Sequence, residues 1–161
     1  MPPRQRYPHS PVSSTPRTGI ASLVVALIGL AVSAYLTVEH FSLGSSLACP
    51  ESATINCQKV TTSHWSHLGP IPVAVLGLVF FTAMAVLCAP RLWELRALDP
   101  VRVAGAAIGV VTALVLVWIE LFRIDAVCLW CTAVHVCSLV LLGAVLWTTS
   151  AIRADSAPAR V

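Results

Sequence analysis

The stretch AVCLWCTAVHVCSLVLLGAVLWT, residues 126–148, decides the fold. It holds no Asp, Glu, Lys or Arg, and it is apolar all the way round a helix. A helix at a water-facing surface would show a polar stripe at helical spacing instead. A bilayer core of ~30 Å takes about 20 helical residues to cross. Backbone N–H and C=O groups cannot go unpaired in lipid, so such a stretch crosses as a helix. Residues 19–41, 71–89 and 101–122 are also long and apolar enough. The expected fold is an all-α membrane protein, a bundle of four transmembrane helices.

Composition agrees. Of 161 residues, 57% are hydrophobic and 11% charged, with mean hydropathy +0.84. A soluble domain carries about 25% charged residues. A net charge of +3 is too small to suggest a nucleic-acid partner; the partner implied throughout is the lipid bilayer. The first apolar stretch follows Arg4, Arg6 and Arg17 but exceeds the roughly 7–15-residue core of a cleavable signal. It ends on Thr37-Val38-Glu39-His40 and reads as a retained span. The organisation expected is a disordered cytoplasmic N-terminus at 1–18, a membrane domain at 19–150 with an outer loop at 42–70, and a cytoplasmic tail at 151–161.

Charge fixes the expected orientation. Arg4, Arg6, Arg17, Arg91, Arg96, Arg102, Arg153 and Arg160 flank one side, and only Lys59 and Arg123 flank the other. Eight basic residues against two put the termini and the 91–102 loop in the cytoplasm. Cys49 and Cys57 then lie in the long outer loop, and Cys128 and Cys131 at the outer end of the fourth span. That is the side on which disulfides persist.

Cys128-Leu129-Trp130-Cys131 opens a helix. Residues i and i+3 share a helix face, with Cα atoms roughly 5 Å apart, inside the disulfide range. The free N–H groups of a helix start favour a thiolate. The pattern therefore suits redox exchange, with a purely structural disulfide as the alternative. Zinc is not expected, because no second C-x-x-C or suitably spaced His pair accompanies it. A loop pair, Cys49 and Cys57, beside a membrane-edge pair makes sense as a relay, working by thiolate attack on disulfides. One end meets a soluble partner, and the other meets a lipid-soluble two-electron acceptor, most simply a quinone.

The combined pattern resembles the vitamin K epoxide reductase family in its bacterial form. It comprises the loop cysteine pair, then Ser63 and Trp65 in Cys57-Gln58-Lys59-Val60-Thr61-Thr62-Ser63-His64-Trp65, a Gly/Pro-rich start to the second span, and C-x-x-C opening the fourth. Ser33-Ala34-Tyr35-Leu36-Thr37 is similar to the family's first helix. The resemblance runs from about residue 19 to 147. It implies a four-helix bundle around a quinone, menaquinone or ubiquinone, capped by the outer loop. It implies that Cys128 and Cys131 are the active-site pair, with Cys131 reacting with the quinone. It makes Cys49 and Cys57 the shuttle pair, with Cys49 meeting the partner thiol and Cys57 passing the disulfide to Cys128. Ser63 would hold the loop over the site. The vertebrate tyrosine four residues after C-x-x-C is His135 here, and the vertebrate asparagine near the second span has no match in 69–77. Quinone reduction is thus implied, and epoxide reduction is not carried over.

The resemblance further implies an exported thioredoxin-fold (DsbA-like) partner and a place in a bacterial plasma membrane. Membrane proteins of the DsbB type share four spans and two cysteine pairs, but in the opposite order along the chain. A scaffold with inert disulfides is the non-catalytic alternative. His135 lies four residues past Cys131 on the same helix face, and could bond the quinone oxygen or satisfy a helix neighbour. Cys137 and Cys88 read as packing residues. Glu39, His40, Glu120 and Asp125 read as solvated helix ends, with a proton relay as the sharper alternative. Trp65 and Trp130 are open between interface anchors and walls of the quinone site.

Overall fold

The computed structural model describes residues 15–42, 48–50 and 52–155. The main helices are α1 (Thr15–Phe41), α3 (Val73–Leu87), α4 (Asp99–Ile119) and α5 (Leu129–Asp155). A short α2 (Cys57–Thr61) lies in the loop after α1, and a two-strand hairpin, β1 (His67–Leu68) with β2 (Ile71–Pro72), leads into α3. Gly69 makes the hairpin turn at φ 63°, a conformation that suits a residue without Cβ.

Three segments have the length and hydropathy to cross a bilayer: Gly19–Phe41, Arg96–Ile124 and Leu129–Ala154. The expected second span at 71–89 is shorter as a helix. Its 15 residues rise only ~22 Å. Both ends have a local cause. Ile71 and Pro72 are spent on the hairpin. Ala89 precedes Pro90, which forces it extended at φ −58° and ψ 138° and ends the helix. Two other boundaries also move. Helix α1 already includes Thr15 to Thr18. Helix α5 runs past 150 to Asp155. The rest of the two expected terminal segments, 1–14 and 156–161, lies outside the described residues.

The four main helices close a ring, with α1 between α3 and α5, α4 against α5, and α3 against α4. Lipid is as apolar as leucine, so close packing must hold such helices together. Small residues allow it. The Phe81 ring lies where a Cβ on Gly29 would stand, and the Phe80 ring does the same at Gly109. Ala26, Phe81, Met84, Ala106, Leu141 and Val145 form the buried centre, while Val79, Ile108, Val111, Leu139 and Trp147 face outward.

Arg102 is fully buried at one end of the bundle. It donates to Asp99 Oδ1 at 2.7 Å, to the Leu87 carbonyl at 2.8 Å and to the Leu92 carbonyl. Its guanidinium lies 4.4 Å from the centre of the Trp93 ring, and Trp93 Nε1 donates to the Cys88 carbonyl. Arg102 thus ties the 88–98 connection to α4 rather than standing free as a loop charge. Cys88 is buried in that knot, and Cys137 packs against the core, as expected of packing residues.

Candidate redox site

The site is built at the opposite end of α4, where the chain reverses into α5. Helix α4 continues as one π-helical turn, Glu120–Ile124. The N–H groups of Asp125 and Ala126 both donate to the Glu120 carbonyl. Asp125 takes the left-handed conformation at φ 52°, which Asp tolerates better than most residues. The chain then runs extended into Cys128.

The loop between α1 and α3 is laced onto this extended piece. Val127 N–H donates to the Thr54 carbonyl at 2.9 Å, and Asn56 N–H donates to the Val127 carbonyl at 3.1 Å. Asn56 also caps α2 by accepting from Lys59 N–H at 2.8 Å, so Cys57 begins a helical turn directly beside Cys128. Lys59 Nζ donates to the Asp125 carbonyl at 3.2 Å. Cys57, Val60, Ile124, Ala126 and Cys128 form one buried cluster, against which Cys49, Trp130 and Cys131 pack. Cys57 and Cys128, 71 positions apart, are therefore brought together by a few backbone bonds. Cys49 and Cys57 are joined as a disulfide, and Cys128 and Cys131 are free thiols.

Helix α5 opens at Leu129, so Cys128 stands one residue before the span in the N-cap position. Its Sγ accepts the Cys131 N–H at 3.2 Å, the bond a Ser or Asp oxygen makes in an ordinary cap. Cys128 N–H donates to Glu120 Oε2 at 3.4 Å. The Cys131 thiol, hydrogen-bonded to Cys128 Sγ, holds the Cys128 thiol below its ordinary range; burial and the Glu120 charge oppose this. A lowered thiol pKa favours the nucleophilic form of Cys128.

Trp130 turns to α1 and the loop. Its ring centre lies 4.9 Å from that of Tyr35, and its Nε1 donates to the Ala48 carbonyl at 3.0 Å. Ala48 N–H donates in turn to Tyr35 Oη at 3.3 Å. The pair clamps the residue before Cys49. Ser63 bonds within its own loop, donating to the Val60 carbonyl at 2.8 Å and accepting from Ser66. Trp65 is 40% exposed and stacks on Arg123, 4.8 Å from the guanidinium carbon to the ring centre. It fastens the loop to the π turn and is not among the residues packed on the cysteines.

His135 lies one turn deeper than Cys131 and is 6% exposed; among the described residues its buried Nδ1 has no hydrogen-bond partner, and neither has the buried Oγ of Ser33 on α1. An unsatisfied buried polar atom costs about 1–3 kcal/mol. A quinone carbonyl is an acceptor that either group could satisfy, so these residues fit such a ligand.

A disulfide on a loop, packed against a thiol pair at the start of a membrane helix, defines a membrane protein of thiol–disulfide exchange. The model of the vitamin K epoxide reductase family matches residues 20–146, and the chain belongs to that family. Membership makes it a membrane thiol–disulfide oxidoreductase of a family that uses quinones, and separates it from the DsbB type. A search of the curated proteins returns no match.

Proposed function

We propose that this protein reoxidises an exported thioredoxin-fold, DsbA-like protein and reduces a membrane quinone, so that disulfides form outside the cytoplasm of a bacterium. The supporting observation is the single cluster that holds all four cysteines, with the loop pair oxidised and the helix pair reduced. The partner's thiolate attacks Cys49, which is partly exposed, whereas Cys57 is 1% exposed and out of reach. Cys57 leaves as a thiolate, and the partner closes its own disulfide, freeing Cys49. Cys57 then attacks Cys128 in a Cys128–Cys131 disulfide and releases Cys131. Cys49 attacks Cys57, restoring the loop disulfide and freeing Cys128. That is the arrangement described above. A bound quinone supplies a two-electron acceptor inside the bilayer, and His135 and Ser33 would orient it. Cys128 and Cys131 give up two electrons and two protons and close their disulfide. The termini face the cytoplasm and the four cysteines face outward.

Thiol trapping of the purified protein tests this reading. After reduction of the helix pair, added menaquinone or ubiquinone should protect Cys128 and Cys131 from alkylation and appear as quinol. Continued alkylation of both residues with either quinone would overturn the proposal. Cys131→Ala should lose quinone reduction with any reductant. Cys49→Ala should keep it with dithiothreitol and lose it with the protein partner.

A further inference from the structure

Glu120 is a carboxylate where the bundle has little reason to keep one. It is 5% exposed at the end of a membrane helix. Cys128 and Cys131, at the start of α5, are close enough to feel its charge. Arg123 is on its own π turn and Asp125 follows it. Cys57 of α2 belongs to the cluster that holds Cys128, Lys59 of α2 reaches the Asp125 carbonyl, and His135 lies one turn deeper than Cys131. None of the cations is spent on it. Lys59 Nζ is bound to the Asp125 carbonyl, and Arg123 lies over Trp65. Among the described residues, the hydrogen bond to its carboxylate comes from Cys128 N–H. A buried acid without a cation is normally replaced or neutralised. Here it stands beside a thiol pair that must lose protons.

We propose that Glu120 and Cys128 share one proton, with Glu120 accepting it when Cys128 becomes the thiolate that closes the Cys128–Cys131 disulfide. Two negative charges cannot be held in so small an apolar cluster, so ionisation of one group depends on the other. The helix ends make sharing possible. The positive end of α5 favours charge on Cys128 and the negative end of α4 opposes it on Glu120, so a single negative charge is divided between sulfur and carboxylate. This rests on the proposed function for its oxidant, a membrane quinone. Closing the disulfide breaks two S–H bonds and forms one S–S bond, and two electrons and two protons pass to the quinone to give quinol. Glu120 holds the Cys128 proton in between and ends the cycle in the state in which it began.

The test is the pH profile of Cys128 alkylation by iodoacetamide, read by peptide mapping of the reduced, quinone-free full chain in detergent. Glu120→Gln keeps an oxygen for the Cys128 N–H but cannot take a proton. The parent should give a broadened profile of two linked groups. The variant should give a single ionisation with its midpoint lower by about one pH unit or more. Superimposable profiles would overturn the proposal, since a carboxylate serving only as an acceptor leaves them unmoved. If Glu120→Gln does not fold, difference infrared spectra of the parent, oxidised chemically with diamide, supply the reading. A carboxyl band must change as the disulfide closes, and an unchanged carboxyl region overturns the proposal. Neither measurement uses quinone. A shifted profile in a protein that fails to reduce quinone sinks the proposed function alone, and an unshifted profile with intact quinone reduction sinks the proton sharing alone.

Discussion

The backbone N–H of Cys131 donates to Cys128 Sγ at 3.2 Å, so the two cysteines are coupled through the helix cap as well as through their chemistry. When the pair closes as a disulfide, this sulfur becomes a poorer acceptor, and the first turn of α5 loses that cap bond. The reduced and oxidised states therefore differ in local stability at the helix start.

The cap can be separated from the chemistry by substitution. Cys128→Ser keeps a side-chain acceptor at the N-cap, whereas Cys128→Ala removes it. Both should abolish quinone reduction. Only the alanine variant should lose stability, by about 1 kcal/mol, measured as the midpoint of thermal unfolding in detergent. Equal midpoints in the two variants would show that the sulfur is not acting as a cap.

The Tyr35–Trp130 clamp should govern how often the loop cysteines meet the helix pair. Tyr35→Phe removes the Oη that accepts from Ala48 N–H, and Trp130→Phe removes the donor to the Ala48 carbonyl. Each lost bond is worth about 0.5–1.5 kcal/mol, or roughly a two- to tenfold change in loop docking. Turnover with a protein thiol partner should fall by that factor. Quinone reduction driven by dithiothreitol, which bypasses the loop, should hold. A matching fall in both assays would mean that the clamp supports the bundle rather than the loop.

Much of this was legible in the sequence, and what was not has identifiable causes. The helical membrane class followed from apolar length, since lipid leaves the backbone no other choice. The length of α3 did not, because hydropathy counts Ile71, Pro72 and Ala89 as apolar and is blind to a hairpin and an X-Pro junction. The cysteine pairs stood out by type and spacing. Their meeting was expected as a relay and from the family resemblance, but the bonds between 54–56 and 127 that make it have no signature in the sequence. Glu120 read as a solvated end because a π turn that folds it inward has no sequence signature. Trp65 was open between two roles, and only its stacking on Arg123 reveals that it fastens the loop.

Orientation offers a separate check. The arginine asymmetry leads one to expect the termini inside, although Arg102 is spent on Asp99 and the 88–98 connection. Removing it from the count leaves seven basic residues against two. A reporter fused after Val161 should behave as cytoplasmic, and one inserted at residue 45 as external. The reverse result would put the thiols in a reducing compartment and end the redox reading.

The relay itself makes the sharpest prediction. Cys57 and Cys128 are buried in one cluster, and the backbone bonds from 54–56 to 127 hold them side by side. Exchange between them needs a small shift of α2 rather than an opening of the bundle. The mixed disulfide Cys57–Cys128 is resolved by two thiols only, Cys49 from the loop side and Cys131 from the helix side. Cys49→Ala removes the first of these and leaves return attack by Cys131 as the sole exit. That exit returns Cys128–Cys131 at the same oxidation level, so with Cys49 gone the two disulfides stand in equilibrium and Cys57–Cys128 should be detectable, seen as a linked peptide pair under non-reducing mapping. In the double variant Cys49→Ala, Cys131→Ala the link, closed by an added oxidant such as diamide, should persist until a reductant is supplied. If Cys57 stays free in Cys49→Ala while Cys128–Cys131 is closed under every condition, then the two pairs do not exchange, and their shared cluster is a matter of packing alone.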